Sequence, residues 1–346
     1  MYELNITRPD DFHVHLRDGS ALASVVGTTA RRFARAIVMP NLSPPVTTVK
    51  QALDYRGRIL QALPPGSGFQ PLMTLYLTED TRPGEIELLA ASDHVYAVKY
   101  YPAGATTNSA SGVTAIDRVY PVLEKMQELS VPLLVHGEVT DPAVDVYDRE
   151  QVFIDRELVP LLGRFKSLRV VLEHITTRQA VEFIRQAPEG IAATITPQHI
   201  MYNRNEMFRG GLQPHNYCLP VLKREPHRQA VLEAAVSGDP RFFLGTDSAP
   251  HSRSAKQGDC GCAGIYSGPA AIELYAEIFE AAGALDRLEP FAAHFGADFY
   301  GLPRNQGSIR LLRSAWTIPE TLPFGDDVIV PIKAGKECLW QVAGDD

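Results

Sequence analysis

Short apolar runs recur along the chain, and each is followed by a loop and a longer stretch with helical spacing. Eight runs rich in Val, Ile, Leu, Phe or Tyr occupy residues 12–15, 34–39, 71–77, 95–101, 131–135, 169–175, 191–196 and 241–245. Continuous apolar runs of this length are typical of parallel strands that are buried on both faces of a sheet. The pattern therefore predicts eight buried parallel strands.

The stretches between these runs have the spacing of amphipathic helices. Clear examples cover residues 115–129, 148–162, 177–186 and 225–237, and two further helices are predicted at 268–282 and 287–299. Eight strands that alternate with helices favour a closed (β/α)8 barrel, the TIM barrel, over an open sheet. We therefore predict one α/β domain over residues 1–346, with the barrel at about 8–302 and a short C-terminal extension at about 303–346.

The composition is that of an ordinary soluble globular protein, with 45% hydrophobic and 21% charged residues. A formal net charge of -8 gives no basic surface that would attract nucleic acid or an anionic membrane. The sequence also lacks an apolar stretch of membrane-spanning length and a signal peptide. We expect a cytoplasmic protein with no nucleic-acid or membrane partner, which must bind any acidic substrate through local cations.

Candidate chemistry lies at the predicted strand ends, because the active site of such a barrel is built at the carboxyl ends of its strands. The polar residues at or just beyond those ends are His13, His15, Asn41, Lys99, His136, His174, His199 and Asp247. A single histidine at such a place is more often a hydrogen-bonded structural residue than a ligand. The number of polar side chains at equivalent positions, rather than any one of them, indicates a functional site.

His13 and His15 are the strongest indication of a metal. Residues two apart on a strand point to the same face, so both imidazoles can project into the mouth of the barrel. An H-x-H pair alone is a weak motif that often occurs by chance, but this pair lies on the first predicted strand and further polar strand ends follow it. Imidazole nitrogen is a preferred zinc ligand, so the pattern favours a zinc site.

Four further strand-end residues fit a site that holds more than one metal ion. His136 and His174 each end an apolar run, and a buried imidazole there needs a partner such as a second metal. Asp247 adds a carboxylate that can bind metal and move a proton. Lys99 alone would be a solvated lysine near a strand end. Among metal ions its ammonium would be repelled, so there it must be neutral or modified.

These residues resemble the amidohydrolase superfamily, which has H-x-H on strand one, Lys on four, His on five and six, and Asp on eight. Within it, the chain is similar to the class II bacterial dihydroorotases in nine ordered segments: DDFHVHLRDG (10–19), MPNLSPPVTT (39–48), KYYPAGATTNS (99–109), HGEVT (136–140), EHITT (173–177), TPQHIMYNRN (196–205), YCLPVLK (217–223), GTDSAPH (245–251) and CGCAG (260–264). The resemblance extends from the N-terminus to about Leu302 and is weakest in the C-terminal tail.

The resemblance implies a binuclear site with two zinc ions that are also bridged by a hydroxide, the nucleophile. The ligands would be the strand-end residues: His13, His15 and Asp247 for one ion, His136 and His174 for the other, and Lys99, carboxylated to a carbamate, bridging both. A carbamate is an anion, which resolves the difficulty of a lysine among cations. Asp247 would be the catalytic residue, because it would take the hydroxide proton and pass it to the leaving nitrogen.

The resemblance further implies a homodimer that interconverts N-carbamoyl-L-aspartate and L-dihydroorotate reversibly, in pyrimidine synthesis. The substrate carboxylate would be bound by Arg17, two residues beyond the H-x-H pair and on the same face, together with Asn41 and His251. Backbone groups at Leu219 and Ala263 would contact the ring amide. From the residues alone, Arg17 could equally be a surface ion-pair partner, Asn41 a turn residue and His251 a loop histidine.

The segment 101–113 is small, polar and glycine-containing, as expected of a mobile lid. Thr106 and Thr107 would then reach the substrate when the lid closes and exclude water. The alternative is an ordinary flexible surface loop. His199 is interpreted as a structural residue or as a partner of a ligand.

Three other functions compete with this one. Hydantoinase-like cyclic amidases add a β-sandwich built from both termini, and His13 lies too close to the chain start for its N-terminal half. A mononuclear deaminase of the same superfamily would have no use for Lys99 as a bridge. A non-catalytic scaffold would have lost metal ligands, whereas all six are present.

Overall fold

A ring of eight parallel strands forms the centre of the computed structural model, which describes residues 2–259 and 261–344. A first strand, β1 (Glu3–Thr7), lies outside this ring. The ring strands follow in chain order: β2 (Asp10–Val14), β3 (Arg35–Val38), β4 (Gln70–Tyr76), β5 (Val95–Tyr100), β6 (Leu133–Val135), β7 (Val170–Leu172), β8 (Ile191–Ile195) and β9 (Phe242–Leu244). Each predicted apolar run overlaps one of them, so the eight predicted strands are confirmed.

Helices occupy the connections between the strands and continue after the last one. They are α1 (Gly19–Arg32), α2 (Val49–Ala62), α3 (Pro83–Ala90), α4 (Tyr120–Glu128), α5 (Arg149–Phe153), α6 (Val159–Arg164), α7 (Arg178–Gln186), α8 (Pro197–Met201), α9 (Glu225–Ala235), α10 (Arg253–Gln257), α11 (Ala271–Ala281) and α12 (Phe295–Tyr300). Local sequence sets their starts. At α2, for example, Thr48 and Gln51 form a capping box that satisfies two free amides.

The ring closes where its last strand meets its first. Neighbouring strands pair in the order β2-β3-β4-β5-β6-β7-β8-β9. Beyond β9, the His15 amide donates to the Ser248 carbonyl (3.1 Å) and the Asp247 amide donates to the His13 carbonyl (2.8 Å). The predicted (β/α)8 barrel is therefore confirmed, and three candidate metal ligands, His13, His15 and Asp247, take part in its closing hydrogen bonds.

The barrel interior is filled at the amino ends of the strands. Inward-facing apolar side chains from all the ring strands form one cluster with Ala297 and Tyr300 of α12. The Tyr300 ring stacks on Phe12 at 5.2 Å, and a Cβ at Gly296 would lie only 2.1 Å from the Phe12 ring, so only glycine permits this close approach. Because α12 closes this end, the polar site can lie only at the opposite, carboxyl end.

Four predicted helices are interrupted. The predicted helix 268–282 begins as a 3-10 turn (Gly268–Ala270) before α11, and the predicted helix 287–299 contains a π-helical turn (Pro290–His294) before α12. The predicted helix 148–162 consists of α5, a π-helical turn (Ile154–Leu158) and α6. Pro160 has no amide to continue the α-helical pattern, and the Val159 amide bonds to the Ile154 carbonyl instead. The predicted helix 115–129 begins as a 3-10 turn (Ile116–Val119) before α4.

The C-terminal extension forms short antiparallel strands: β10 (Ser308–Leu312), β11 (Trp316–Thr317), β12 (Leu322–Phe324), β13 (Asp327–Ile329), β14 (Glu337–Cys338) and β15 (Gln341–Val342). Strand β10 pairs with β1 on one side and with β15 on the other. The two ends of the chain therefore belong to one three-stranded sheet. Among the described helices, none combines the length and the apolar character needed to cross a bilayer.

Candidate active site

Three candidate site residues have left-handed backbone conformations just beyond their strands. Arg17 has φ 58°, His174 has φ 44° and Asp247 has φ 45°. Such conformations cost non-glycine residues about 1–3 kcal/mol each and persist only where neighbouring contacts impose them. The His174 amide donates to Thr194 Oγ1 (2.7 Å), and Tyr55 Oη donates to the Arg17 carbonyl (2.5 Å). The strain redirects these side chains into the mouth of the barrel.

His13, His15 and Asp247 form one buried cluster whose potential ligand atoms all lie within 4.8 Å of one another. Asp247 Oδ1 lies 3.1 Å from His15 Nε2 and 3.4 Å from His13 Nε2, and the two Nε2 atoms are 3.4 Å apart. Two imidazoles and a carboxylate are a zinc-type donor set. The structure thus brings together three of the predicted ligands.

The two imidazoles of this cluster are oriented by partners on their other nitrogen. His13 Nδ1 lies 2.7 Å from Glu173 Oε2, and His15 Nδ1 lies 2.8 Å from Asn41 Oδ1. Both oxygens are acceptors, so the proton lies on Nδ1 and the Nε2 lone pairs face the cluster. Glu173 Oε2 also accepts a hydrogen bond from Thr194 Oγ1 at 2.6 Å.

His136 and His174 extend the same group of rings. The His13 and His174 ring centroids are 5.0 Å apart, and those of His174 and His136 are 4.9 Å apart. His136 Nε2 pairs with Glu138 Oε2 at 2.8 Å, which leaves Nδ1 available as a ligand. In the described part of the chain, the buried His174 Nδ1 has no hydrogen-bond partner. Buried polar atoms are nearly always hydrogen-bonded, so a buried imidazole nitrogen without a hydrogen-bond partner fits the role of a metal ligand.

Lys99 is fully buried beneath these rings. Its Nζ lies 5.0 Å from the centre of the Tyr101 ring and finds no hydrogen-bond partner among the described residues. Burial lowers the pKa of Lys99 to about 8, against the opposing fields of Glu173 and Asp247. A buried amine near neutrality is the form that can react with carbon dioxide. The donor set therefore fits the metal-bridging carbamate that the family resemblance implies.

The ionisation of the cluster also suits metal binding. Burial lowers the pKa values of His13, His15 and His174, so their imidazoles stay neutral and keep a lone pair for a cation. Burial raises the pKa of Asp247, while the nearby His13 has the opposite effect. With the imidazoles neutral, a bound cation would supply the positive charge next to Asp247 and would hold its carboxylate in the anionic form.

Arg17 and His251 lie side by side at the edge of the site. Arg17 Nη2 donates to His251 Nε2 (2.9 Å), and Arg17 Nε donates to the Pro250 carbonyl (2.9 Å). Burial and the Arg17 charge lower the pKa of His251 to about 2, so His251 is neutral and accepts from Arg17. Strand β2 ends at Val14, so the left-handed turn, rather than strand alternation, brings Arg17 to the site.

Asn41 was predicted to bind the substrate carboxylate, but in the structure its side chain bonds to other residues of the site. Its Oδ1 is taken by His15, and its Nδ2 donates to the Thr107 carbonyl at 3.3 Å. Asn108 Nδ2 donates in turn to the Asn41 carbonyl at 3.2 Å. Asn41 thus connects a candidate metal ligand with the predicted lid.

Most of the predicted site residues line one small cavity. Its walls are His13, His15, Arg17, Asn41, Tyr101, Thr106, Thr107, His136, His174, Leu219, Asp247, Ala249, Ala263 and Gly264. Of the predicted residues, Lys99 and His251 do not line the cavity: Lys99 is fully buried, and His251 bonds to Arg17. Thr107 Oγ1 donates to the Ala263 carbonyl (3.3 Å), and the remaining volume is about 20 Å³, room for about one water molecule. The 101–113 segment therefore covers the site.

His199 lies outside this cavity. Its Nδ1 pairs with Thr196 Oγ1 (2.7 Å) and its Nε2 donates to the Pro220 carbonyl (2.9 Å). Burial lowers the pKa of His199 to about 4. Both ring nitrogens are used in structural hydrogen bonds, which agrees with its interpretation as a structural residue.

Sequence reasoning missed the carboxylates that hold the ligands. Glu173 and Glu138 orient His13 and His136, and both are nearly fully buried. Asp11 accepts hydrogen bonds from the Thr246 amide (2.8 Å), from Thr246 Oγ1 (2.6 Å) and from the His13 amide (3.1 Å). These bonds connect β2, the first strand of the ring, with the residues that follow β9, the last. Each was detectable as an acidic residue within two positions of a candidate ligand, inside or beside an apolar run.

The chain matches the model of the Amidohydrolase family over residues 11–338. It is 64% identical over 345 residues to the dihydroorotase of Laribacter hongkongensis, and the match covers 99% of this chain and 100% of that protein. Its fold is similar to that of dihydroorotase from Saccharomyces cerevisiae in complex with 5-fluoroorotic acid, with a TM-score of 0.91, 33% identity, and 99% and 98% of the two chains covered. The dihydroorotase of Campylobacter jejuni is also similar, with a TM-score of 0.90, 33% identity, and 99% and 97% covered.

Proposed function

The chain belongs to the dihydroorotases of the amidohydrolase family, and on that premise we infer that it interconverts N-carbamoyl-L-aspartate and L-dihydroorotate reversibly. One observation of the site carries this function: a single cavity is lined by the His13–His15–Asp247 cluster and by Arg17. The substrate is a cyclic amide that bears a carboxylate. A metal-binding cluster beside a guanidinium suits both parts of that molecule.

We propose two zinc ions per chain. The ligands would be His13, His15 and Asp247 for one ion, His136 and His174 for the other, and a carboxylated Lys99 between them. Two buried atoms without a hydrogen-bond partner support this assignment, Lys99 Nζ and His174 Nδ1. Burying a polar atom without a partner costs free energy, and coordination to a metal would remove that cost. When bound, the metal pair would lower the pKa of a water molecule and polarise the ring carbonyl.

The chain's own residues would then bind the substrate and move the proton. Arg17 would hold the substrate carboxylate, and His251 would fix the guanidinium from behind through the 2.9 Å hydrogen bond. Asn41 would contribute its Nδ2, which has a second hydrogen to donate besides the one that bonds to the Thr107 carbonyl. Backbone groups at Leu219 and Ala263 would contact the ring amide.

Asp247 would be the proton carrier. Its carboxylate lies within the cluster and lines the cavity, so it can accept a proton from the attacking water and deliver it to the ring nitrogen as the C–N bond breaks. Ring closure would use the same residue in the reverse order.

The segment 101–113 would act as a lid. Thr106 and Thr107 line the cavity, and the closed arrangement leaves too little volume for the substrate. The segment must therefore move when the substrate enters and would exclude bulk water when it closes again.

The wider context is proposed from the family resemblance: a cytoplasmic homodimer in pyrimidine synthesis, with barrel and extension in one domain. The net charge of -8 agrees with the absence of a nucleic-acid partner. Light scattering after gel filtration would test the dimer by giving twice the chain mass of 38.1 kDa.

The deciding experiment is an assay of the purified, zinc-loaded protein with L-dihydroorotate, following ring opening by ultraviolet absorbance. Hydantoin and dihydrouracil serve as rings without the carboxylate, and metal content is measured on the same sample. Turnover of L-dihydroorotate alone, with about two metals per chain, is expected. The Asp247→Ala variant should lose turnover. Turnover of the carboxylate-free rings would indicate a general cyclic amidase, and a metal-replete but inactive protein would indicate a scaffold.

A further inference from the structure

Lys256, on α10, is a buried lysine outside the metal cluster. Its side chain is 3% exposed, and its Nζ donates to the Tyr217 carbonyl (2.7 Å) and to the Gly264 carbonyl (2.7 Å). Burying an ammonium is costly unless hydrogen bonds replace its water, and two short bonds to carbonyls do so here. The lysine is therefore held between two separate segments of the chain.

These two segments carry the backbone groups assigned to the ring amide. Leu219 follows Tyr217 by two residues, and Ala263 directly precedes Gly264. Both segments lie outside helices and strands, and the Gly264 amide also donates to the Tyr217 carbonyl at 3.0 Å. A single Nζ thus joins the two walls of the cavity that Leu219 and Ala263 line.

Gly264 transmits this position to the rest of the site. It has φ +151°, and a Cβ there would lie 2.8 Å from the Ala249 carbonyl oxygen and 2.8 Å from His251 Cδ2. The backbone is therefore in close contact with the residue behind Arg17. The lid also rests on this wall, because Thr107 Oγ1 donates to the Ala263 carbonyl. A displacement of Gly264 would reach the ring-binding wall and the lid contact together.

We propose that Lys256 is a positioning residue for substrate recognition, which sets the spacing between the Leu219 and Ala263 backbones through its bonds to Tyr217 and Gly264. The proposal rests on the proposed function, because it assumes that those backbones contact the ring amide. Lys256 itself touches neither the reacting atoms nor a candidate metal ligand. Its loss should weaken the binding of ring and transition state alike, so KM should change more than kcat.

The test is the Lys256→Met variant, which keeps the side-chain length and removes the charge and the donors. KM for L-dihydroorotate should rise about tenfold, kcat should fall less than about threefold, and zinc content should be unchanged. The increase in KM should be the same at low and high salt, because a buried, hydrogen-bonded group acts through geometry rather than through a screened field. If Lys256→Met does not fold, Lys256→Gln keeps an amide donor and should give a smaller rise in KM.

Lys223→Met is the matched control. Lys223 is also 3% exposed, but its Nζ donates to the Val221 carbonyl of its own segment and joins no second wall. The Lys223→Met variant should lower the melting temperature of the protein and leave KM for L-dihydroorotate unchanged. A native KM in Lys256→Met or Lys256→Gln, an effect that disappears at high salt, or an equal rise in Lys223→Met would overturn the positioning role. Failure of the unmodified chain to open L-dihydroorotate would overturn the proposed function instead.

Discussion

At the scale of single residues, the orientation of the candidate ligands depends on the residues that hydrogen-bond to their other ring nitrogen. His13 and His15 present Nε2 to the cluster only because Glu173 and Asn41 accept the protons on Nδ1. Such partners fix the tautomer and raise the basicity of the ligand. The residues that a motif identifies therefore account for only part of the metal affinity.

Glu173→Gln tests this dependence. The amide cannot accept from His13 with a full negative charge, so zinc affinity should fall by about 10–100-fold. Competition with a chromogenic chelator, with metal content measured in parallel, gives the affinity. Glu157→Gln is the control, because half-buried Glu157 bonds to Tyr100 Oη and touches no candidate ligand. Equal affinities in native protein and Glu173→Gln would contradict the role of Glu173.

Arg17→Gln separates substrate binding from chemistry. The variant removes the guanidinium from the cavity but leaves the metal cluster in place, so KM for L-dihydroorotate should rise by about 100-fold with a smaller change in kcat. Arg58→Gln removes a neighbouring guanidinium, one that pairs with Asp18 at the surface, and should leave KM close to native. A near-native KM in Arg17→Gln would show that the substrate carboxylate binds elsewhere.

At the scale of elements, the sequence predicts what local burial determines. The run 169–175 contains β7 because Val170, Val171 and Leu172 are buried on both faces, and a continuous apolar run reports that directly. The left-handed turn that redirects His174 beyond β7 leaves no such signal, because it is imposed by the Thr194 hydroxyl of the next strand. Which residues come together in the candidate site was therefore predictable, whereas their geometry and partners required the tertiary structure.

The lid has a base that backbone hydrogen bonds hold and a tip that longer side-chain hydrogen bonds hold. At the base, the Ala103 amide donates to the Val113 carbonyl (3.0 Å), and the Val113 amide donates to the Tyr101 carbonyl (3.1 Å). A Cβ at Gly112 would lie 2.3 Å from the Tyr101 carbonyl oxygen, so this position requires glycine. At the tip, Thr107 Oγ1 donates to the Ala263 carbonyl (3.3 Å), Asn41 Nδ2 donates to the Thr107 carbonyl (3.3 Å), and Asn108 Nδ2 donates to the Asn41 carbonyl (3.2 Å), all of them long hydrogen bonds. Motion should therefore be confined to the residues between the two fixed ends.

Thr107→Val tests closure of this lid. Valine keeps the shape of threonine but cannot donate to the Ala263 carbonyl, so the closed state should be less populated and kcat should fall by about tenfold. Stopped-flow measurement of ring opening separates closure from chemistry. Thr114→Val, which removes a surface bond to Glu79 just beyond the base, should leave kcat within about twofold of native. An unchanged kcat in Thr107→Val would indicate an ordinary loop.

At the scale of the whole molecule, β10 of the C-terminal extension pairs with β1 near the start of the chain. Strand β1 pairs with β10 in the register Glu3↔Leu312 to Thr7↔Ser308, and no local pattern signals a partner about 300 residues away. The sequence has short apolar runs at 327–332 and 339–342, but nothing in it indicates that β13 pairs with β12 or that β15 pairs with β10. The extension thus covers the N-terminal strand instead of forming a separate layer.

Trp340→Ala tests whether barrel and extension unfold together. Trp340 is fully buried, its Nε1 donates to Glu280 Oε2 of α11 (3.0 Å), and its carbonyl accepts from Trp316 Nε1 (2.7 Å). Removing the indole should lower the free energy of unfolding by about 3–5 kcal/mol through the lost packing. Glu280→Gln, which weakens the hydrogen bonds and keeps the packing, should cost only about 1 kcal/mol. Denaturant titration should show one shifted transition, with kcat and KM of the folded fraction unchanged, because Trp340 does not line the site cavity. A second transition would mean that the extension unfolds by itself, and the chain would then contain two folding units.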